Sequence, residues 1–154
     1  MTAEPAITIR RATAADESSV TACVDAAYSR YIERMGKPPG PMLEDYAKII
    51  ATHKVSVVEL DGAFAGVIVL AKTEEGFLLD NVAVHPAFHG KGIGRRLLEY
   101  AESEAKRAGY REIHLYTHES MIENQAHYSK IGYVEYDRRV ENGYSRAYMR
   151  KRLA

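Results

Sequence analysis

The chain has few of the features that mark secreted, membrane or nucleic-acid-binding proteins. Cys23 is its single cysteine, which excludes an internal disulfide framework and is typical of a reducing compartment. No apolar run approaches the roughly 20 residues that span a bilayer, and residues 1–5 lack the start of a signal peptide. With 21 basic and 21 acidic residues the formal net charge is zero, which argues against nucleic acid or a membrane surface as a partner. These absences predict a cytoplasmic protein.

The sequence also lacks a pattern for metal binding and a boundary between domains. Its histidines at positions 85 and 89, and at 114 and 118, are four apart on strand or loop, where that spacing covers roughly 13 Å and cannot converge on one ion. No linker, repeat or low-complexity tract divides the 154 residues, of which 46% are hydrophobic. We therefore expect no metal site and one globular domain over residues 1–154.

Apolar periodicity predicts a mixed sheet with helices on both faces, in the order β-α-α-β-β-β-α-β-α-β-β. Helical spacing continues from the capping pair Thr13 and Asp16 to about Met35, where a Gly- and Pro-rich segment ends the first helix. Asp61-Gly62 predicts a hairpin, whereas the later helix between Val84 and Ile113 requires a parallel crossover. The fold class is α/β (α+β), with about seven mostly antiparallel strands.

The most informative motif is the glycine loop, His-Gly-Lys-Gly-Ile-Gly at residues 89–94, between a predicted strand and a predicted helix. Glycines there remove side chains from a first helical turn, whose N–H groups have no partner inside the helix. Those donors and the helix dipole suit phosphate oxygens. The spacing matches neither the loop of nucleotide hydrolases nor a dinucleotide fingerprint. The loop predicts a phosphorylated cofactor, although a plain tight turn is the alternative.

Together with Val82-Ala83-Val84-His85-Pro86, this loop resembles the cofactor motif of the GNAT superfamily of acetyl-CoA-dependent N-acetyltransferases. That motif has Gln or Arg, two residues, Gly, one residue, and then Gly or Ala. Gly92 and Gly94 match it, while His89 stands where Gln or Arg is usual. The resemblance covers essentially the whole chain. It implies transfer of an acetyl group from acetyl-CoA to a primary amine of a small molecule or peptide in a ternary complex, and it is compatible with a homodimer.

The resemblance also implies which residues bind the cofactor. By this resemblance, backbone groups of Val82–Val84 would hold the pantetheine arm and donate to the developing oxyanion, and the loop amides would hold the pyrophosphate. Residues 124–133 resemble a later family motif, with Tyr128 four residues before Gly132 and Asn124 replacing an Asn more usual at the position of Met121. The implied cofactor-binding residues are Val82, Ala83, Val84, His89, Gly90, Lys91, Gly92, Ile93, Gly94, Arg95, Asn124 and Tyr128.

Two side chains are candidates for proton transfer. Tyr128 follows from the later motif: a phenol with an ordinary pKa of about 10 can protonate the departing thiolate, although an aromatic residue packing helix on sheet is the alternative. Asp80 is a charge inside an apolar strand, which indicates either a base or ammonium ligand, or a carboxylate satisfied by backbone amides at a bulge. Glu119 and Glu123 are weaker candidates for the base, and water is another.

The acceptor is expected beside the proline-rich connection that follows the first helix. The candidate substrate-binding residues there are Tyr31, Met35, Met42 and Tyr46. Residues of this kind at helical spacing are also typical of a core. The alternative to an enzyme is a non-catalytic module that binds or senses acyl-CoA.

Overall fold

The computed structural model describes residues 6–154, so the expectation about residues 1–5 lies outside the described residues. The elements are β1 (Ile7–Arg11), α1 (Glu17–Tyr28), α2 (Tyr31–Met35), α3 (Tyr46–Thr52), β2 (Lys54–Leu60), β3 (Ala63–Thr73), β4 (Gly76–Val84), α4 (Ile93–Arg107), β5 (Glu112–His118), α5 (Ile122–Lys130), β6 (Val134–Glu141) and β7 (Tyr144–Arg152). None of the helices in this part of the chain has the length and apolar character needed to traverse a bilayer.

The strands of the described residues form one seven-stranded sheet in the order β1-β2-β3-β4-β5-β7-β6. β4 and β5 run parallel, with Phe77–Leu79 paired to Ile113–Leu115, as the helical crossover between the two strands requires. β1 pairs with β2, and β7 with both β5 and β6, in antiparallel register. The predicted mixed sheet is therefore confirmed.

The prediction of one helix reaching Met35 is wrong. α1 ends at Tyr28, and α2 begins at Tyr31 after a turn in which the Ile32 N–H donates to the Ser29 carbonyl at 3.1 Å. Three α-helices therefore stand between β1 and β2 instead of two. The helical spacing of apolar residues continues across this break. Periodicity alone therefore does not reveal the turn, in which the backbone hydrogen bond spans three residues instead of four.

The predicted hairpin at Asp61-Gly62 is confirmed. Both residues have positive φ, 51° and 83°, as a two-residue type I′ turn requires. Asn142 and Gly143 join β6 to β7 in the same way, with φ of 53° and 79°. Each turn fixes the register of the strands that it connects.

By its internal contacts the chain divides into two compact units. The first contains the described residues up to Val69 together with Asn81–Glu99, and the second contains Leu70–Asp80 and Tyr100–Ala154. The core of the first unit is a cluster of mainly apolar side chains contributed by α1, α3, β2, β3 and their neighbours. Its buried members are Ala12, Val20, Cys23, Val24, Tyr46, Val55, Val57, Val67, Val69 and Ala83.

The salt bridge between Arg10 and Asp16 provides a test of stability in the first unit. The two guanidinium nitrogens donate to the two carboxylate oxygens at 2.8 Å each, and the Thr13 N–H donates to Asp16 at 2.8 Å, so the predicted capping pair is confirmed. The hydrogen bond from Arg10 is the main reason that the pKa of Asp16 falls from 3.8 to about 2.

Because the folded pKa of Asp16 lies below the unfolded value, its stabilisation is complete above about pH 4 and is lost as the pH falls toward 2. We expect Asp16→Asn to lower the midpoint of thermal unfolding at pH 7 by roughly 3–8 °C. The difference from wild type should shrink at pH 2.5, as melts followed by circular dichroism will show. Asp25→Asn, at an exposed position of α1, is the matched control; a difference that persists at pH 2.5 would contradict the assignment.

Candidate functional site

The glycine loop follows β4 closely, after a short turn at Pro86–Phe88. The His85 side chain caps this turn by accepting from the Ala87 N–H at 3.1 Å. Gly90 and Gly92 have φ of 78° and 79°, the left-handed region that disfavours side chains. A Cβ added to either would meet no atom within 4 Å. The backbone conformation, and not a lack of space, requires glycine at these two positions.

The amide groups at the start of α4 form the candidate anion site. The Arg96 N–H donates to the Gly92 carbonyl at 3.1 Å, so the N–H groups of Gly92–Arg95 precede the first bond inside the helix. Residues 89–92 are exposed, as are Arg95 and Arg96. Bare amides at the positive end of a 15-residue helix fit a pyrophosphate group.

Val82, Ala83 and Val84 occupy the last part of β4, where burial alternates along the strand. The Ala83 carbonyl accepts from the thiol of Cys23 at 3.8 Å, and the Val82 carbonyl lies 3.1 Å from the Tyr28 hydroxyl. Burial raises the pKa of Cys23, which is 1% exposed, to about 12. The backbone of this segment is therefore held in place by α1.

Asp80 has a partner that the sequence did not indicate. The Tyr116 hydroxyl donates to Asp80 Oδ1 at 2.9 Å. The two can meet because Asp80 lies on β4 and Tyr116 on the neighbouring strand β5, both within the second unit. Burial, followed by the charge of Asp80, raises the pKa of Tyr116. Tyr116 consequently stays protonated and remains the donor. Asp80 is therefore a half-buried carboxylate, and its hydrogen bond with the Tyr116 phenol fixes its orientation.

Aromatic rings and arginines of the β6–β7 hairpin surround Tyr116. Its ring centroid lies 5.5 Å from that of Tyr148, and the Arg146 guanidinium carbon is 4.4 Å from its centroid. The Tyr148 hydroxyl donates to Glu141, and burial together with this bond raises the pKa of Tyr148 to about 12. The polar face around Asp80 is thus built from residues that sequence reasoning did not select; alternating Tyr and Arg residues in the last strand are the signal that could have indicated them.

Tyr128 lies half-buried on α5, one helical turn after Asn124. Its ring contacts that of Tyr133 at a centroid distance of 5.6 Å, and its carbonyl accepts from the Tyr133 N–H at 2.9 Å. Tyr133 is 2% exposed, and its hydroxyl has no hydrogen-bond partner among the described residues. Asn124 Nδ2 lies 3.7 Å from the Met121 sulfur. The two predicted residues of the later motif therefore share one helix.

Tyr46, predicted to bind substrate, is part of a buried hydrogen-bond chain. Its hydroxyl donates to the Pro41 carbonyl at 2.6 Å and accepts from Asn81 Nδ2 at 3.1 Å. The Asn81 carbonyl oxygen in turn accepts from the Tyr28 hydroxyl at 2.7 Å. Asn81, which the sequence did not single out, thus ties β4 to α1 and α3 within the first unit.

The other three residues predicted at the acceptor mouth differ in exposure. Tyr31 is 3% exposed, and its hydroxyl accepts from Arg30 at 2.8 Å while Arg30 and Arg34 lie over its ring. Met35 and Met42 are half-buried, and Met42 packs against the core of the first unit. Of this group, the two methionines are the more accessible to a ligand.

A family model described as an acetyltransferase (GNAT) domain matches residues 51–135, more than half of the chain. A curated relative, N-alpha-acetyltransferase 80 from Mus musculus, is 38% identical over 56 residues. That match covers 36% of this chain and 17% of the relative, so the chain spans about a sixth of the length of the mouse protein.

Solved structures resemble nearly the full chain. The paia N-acetyltransferase from Thermoplasma acidophilum in complex with coenzyme A has a TM-score of 0.77 at 20% identity, covering 96% of this chain and 99% of that one. The ribosomal-protein-S18-alanine N-acetyltransferase from Escherichia coli has a TM-score of 0.75 at 19% identity, covering 97% and 95%. A GNAT family acetyltransferase from Elizabethkingia anophelis with acetyl-CoA bound has a TM-score of 0.72 at 20% identity, covering 96% and 98%. At these identities the likeness shows the fold.

Proposed function

Because the chain belongs to the GNAT family of acetyltransferases, we propose that it transfers an acetyl group from acetyl-CoA to a primary amine of a small molecule or peptide, by direct attack in a ternary complex. The observation that carries this proposal is the glycine loop, whose bare amides stand at the start of α4, one short turn after β4. Solved relatives with this fold bind coenzyme A or acetyl-CoA. A cytoplasmic location, a homodimer and one domain over residues 1–154 stay predictions.

Acetyl-CoA supplies an acetyl thioester that is open to attack by an amine. The amides of Gly92–Arg95 bind its pyrophosphate, and the exposed charges of Lys91 and Arg95 add a modest attraction. The backbone of Val82–Val84 holds the pantetheine arm and donates an N–H to the oxyanion that develops during attack. The contacts of α1 with Val82 and Ala83 keep these backbone groups in a fixed orientation.

Two side chains move the protons. Asp80, oriented by Tyr116, binds the acceptor ammonium and takes its proton directly or through water. Tyr128 donates its phenolic proton to the thiolate that leaves. The half-buried position of Asp80 and the neutral phenol beside it favour this assignment over a purely structural carboxylate.

Asp80→Asn tests the proposed base. We expect this change to lower kcat roughly 10-fold at pH 7, because water can partly replace the base, while the affinity for acetyl-CoA stays the same. Steady-state kinetics between pH 6 and 9 provide the measurement. Tyr116→Phe, which keeps the ring and removes only the hydrogen bond, should have a smaller effect. Wild-type kcat and KM in Asp80→Asn would remove Asp80 from the mechanism.

Thiol release from acetyl-CoA, with and without a panel of amines, tests the proposed function. The panel includes small amines, amine antibiotics and peptides with a free N-terminus. An amine that accelerates thiol release and is recovered with one added acetyl group supports the enzyme. If acetyl-CoA binds in a direct titration but no amine accelerates release, the non-catalytic acyl-CoA module is the better description.

A further inference from the structure

A cavity of about 520 Å³ lies in the second compact unit near the amino ends of β4 and β5. We call it the arginine cavity, because Arg111, Arg150 and Arg152 line it. Its volume is within the range of small-molecule sites. Neither Asp80 nor Tyr116 lines it; on β5 the lining ends at His114, which is two residues, roughly 7 Å along the strand, from Tyr116. The cavity is thus separate from the pair proposed to handle the acceptor.

The three arginines of the cavity are left without carboxylate partners. Across the β5–β7 register Arg150 lies opposite His114 and Arg152 opposite Glu112. Among residues 6–154, no ion pair within 4.0 Å involves any of the three guanidinium groups. Arg150 and Arg152 belong to the β6–β7 hairpin, and the other arginines of that hairpin are each paired with a carboxylate. These are Arg138, Arg139 and Arg146.

The other titratable groups of the lining do not cancel this charge. Glu75 is engaged by Arg139, whose two terminal nitrogens donate to it at 2.6 and 3.1 Å. Burial lowers the pKa of His114 and so favours the neutral form of this ring. Glu112 is the remaining carboxylate in the lining. The cavity therefore carries an excess of positive charge suited to an anionic group.

Aromatic rings give the cavity flat walls beside this charge. The rings of Phe77 and Tyr110 lie 5.5 Å apart, and the guanidinium carbon of Arg150 is 4.9 Å from the centroid of the Tyr136 ring. Rings and stacked guanidinium planes favour planar ligands. We propose that the arginine cavity is a second binding site, for a small planar aromatic compound that carries a phosphate or carboxylate group.

Calorimetric titration of the full chain tests this proposal. The probes are phenyl phosphate and benzoate. Two control compounds are inorganic phosphate, which lacks the ring, and phenol, which lacks the charge. We expect both aromatic acids to bind roughly 10-fold more tightly than phosphate or phenol. The double variant Arg150→Gln/Arg152→Gln should weaken their binding at least 10-fold. Arg107→Gln, at an exposed arginine of α4 outside the lining, is the matched control and should leave it unchanged.

The glycine loop also offers amides to phosphate, so a further variant separates the two sites. Gly92→Val, which alters the loop, should leave the affinity for phenyl phosphate unchanged, and the double arginine variant should leave that for acetyl-CoA unchanged. Equal affinities for phosphate and phenyl phosphate, binding that survives the double arginine substitution, or binding lost in Gly92→Val would each overturn the proposal. A failure to bind acetyl-CoA would instead count against the proposed function alone.

Discussion

Tyr128→Phe is expected to lower turnover roughly 10- to 1000-fold while leaving the affinity for acetyl-CoA nearly intact. The reason is chemical: the leaving thiolate needs a proton, and the substitution removes the phenolic O–H while it keeps the ring. The ring contact with Tyr133 at 5.6 Å is apolar and should survive, so the helix position should not change. Single-turnover rates measure the chemical step, and a direct titration with acetyl-CoA measures binding.

Tyr133→Phe is the matched control for Tyr128→Phe. It removes a hydroxyl from the neighbouring ring, but this buried hydroxyl has no hydrogen-bond partner among the described residues. Its loss should leave turnover unchanged and should not reduce the free energy of unfolding, because no bond is broken and a buried polar group is removed. An unchanged rate in Tyr128→Phe would remove Tyr128 from the mechanism, and water would then supply the proton.

Gly92→Val is expected to weaken acetyl-CoA binding roughly 10- to 100-fold. At φ 79° a β-branched residue is strained by about 1–3 kcal/mol, and relief of that strain rotates the amides that would hold the pyrophosphate. The new side chain also projects into the open space beside the loop, where a Cβ meets no atom within 4 Å. Both effects act on binding, and a factor of ten corresponds to about 1.4 kcal/mol. Calorimetric titration with acetyl-CoA is the measurement.

Gly109→Val separates the backbone strain from the loss of the anion site. Gly109 ends the same helix at its other terminus, with φ of 88° and no atom within 4 Å of an added Cβ. The two variants should lose similar stability, but only Gly92→Val should lose affinity. Equal losses of affinity in both variants, or none in Gly92→Val, would show that the glycine loop does not hold the pyrophosphate.

Local signals in the sequence predicted the features that depend on neighbouring residues. Asp61-Gly62 indicated its hairpin because two positive φ values in succession favour this dipeptide. The glycine loop was recognisable because its chemistry lies within six residues. The break between α1 and α2 was missed, since the apolar face continues across it and only the backbone bond from Ile32 to Ser29 reveals the turn.

Contacts between distant segments could not be predicted in this way. The bond from Tyr116 to Asp80 joins residues 36 apart, and that from Asn81 to Tyr46 joins residues 35 apart. Both depend on strand register and on the positions of helices over the sheet, which periodicity does not specify. Hence Asp80 could be selected as an unusual charge in a strand, whereas its partner could not.

The buried thiol of Cys23 makes this chain well suited to assays that count free sulfhydryl groups. With a pKa raised to about 12 and an exposure of 1%, the side chain is protonated and shielded from reagents while the protein is folded. Colorimetric disulfide reagents should therefore report coenzyme sulfur with no background from the native enzyme. The same protection means that self-acetylation by exchange with a thioester should not occur at this cysteine, so any acetyl group that stays on the protein would be on another residue.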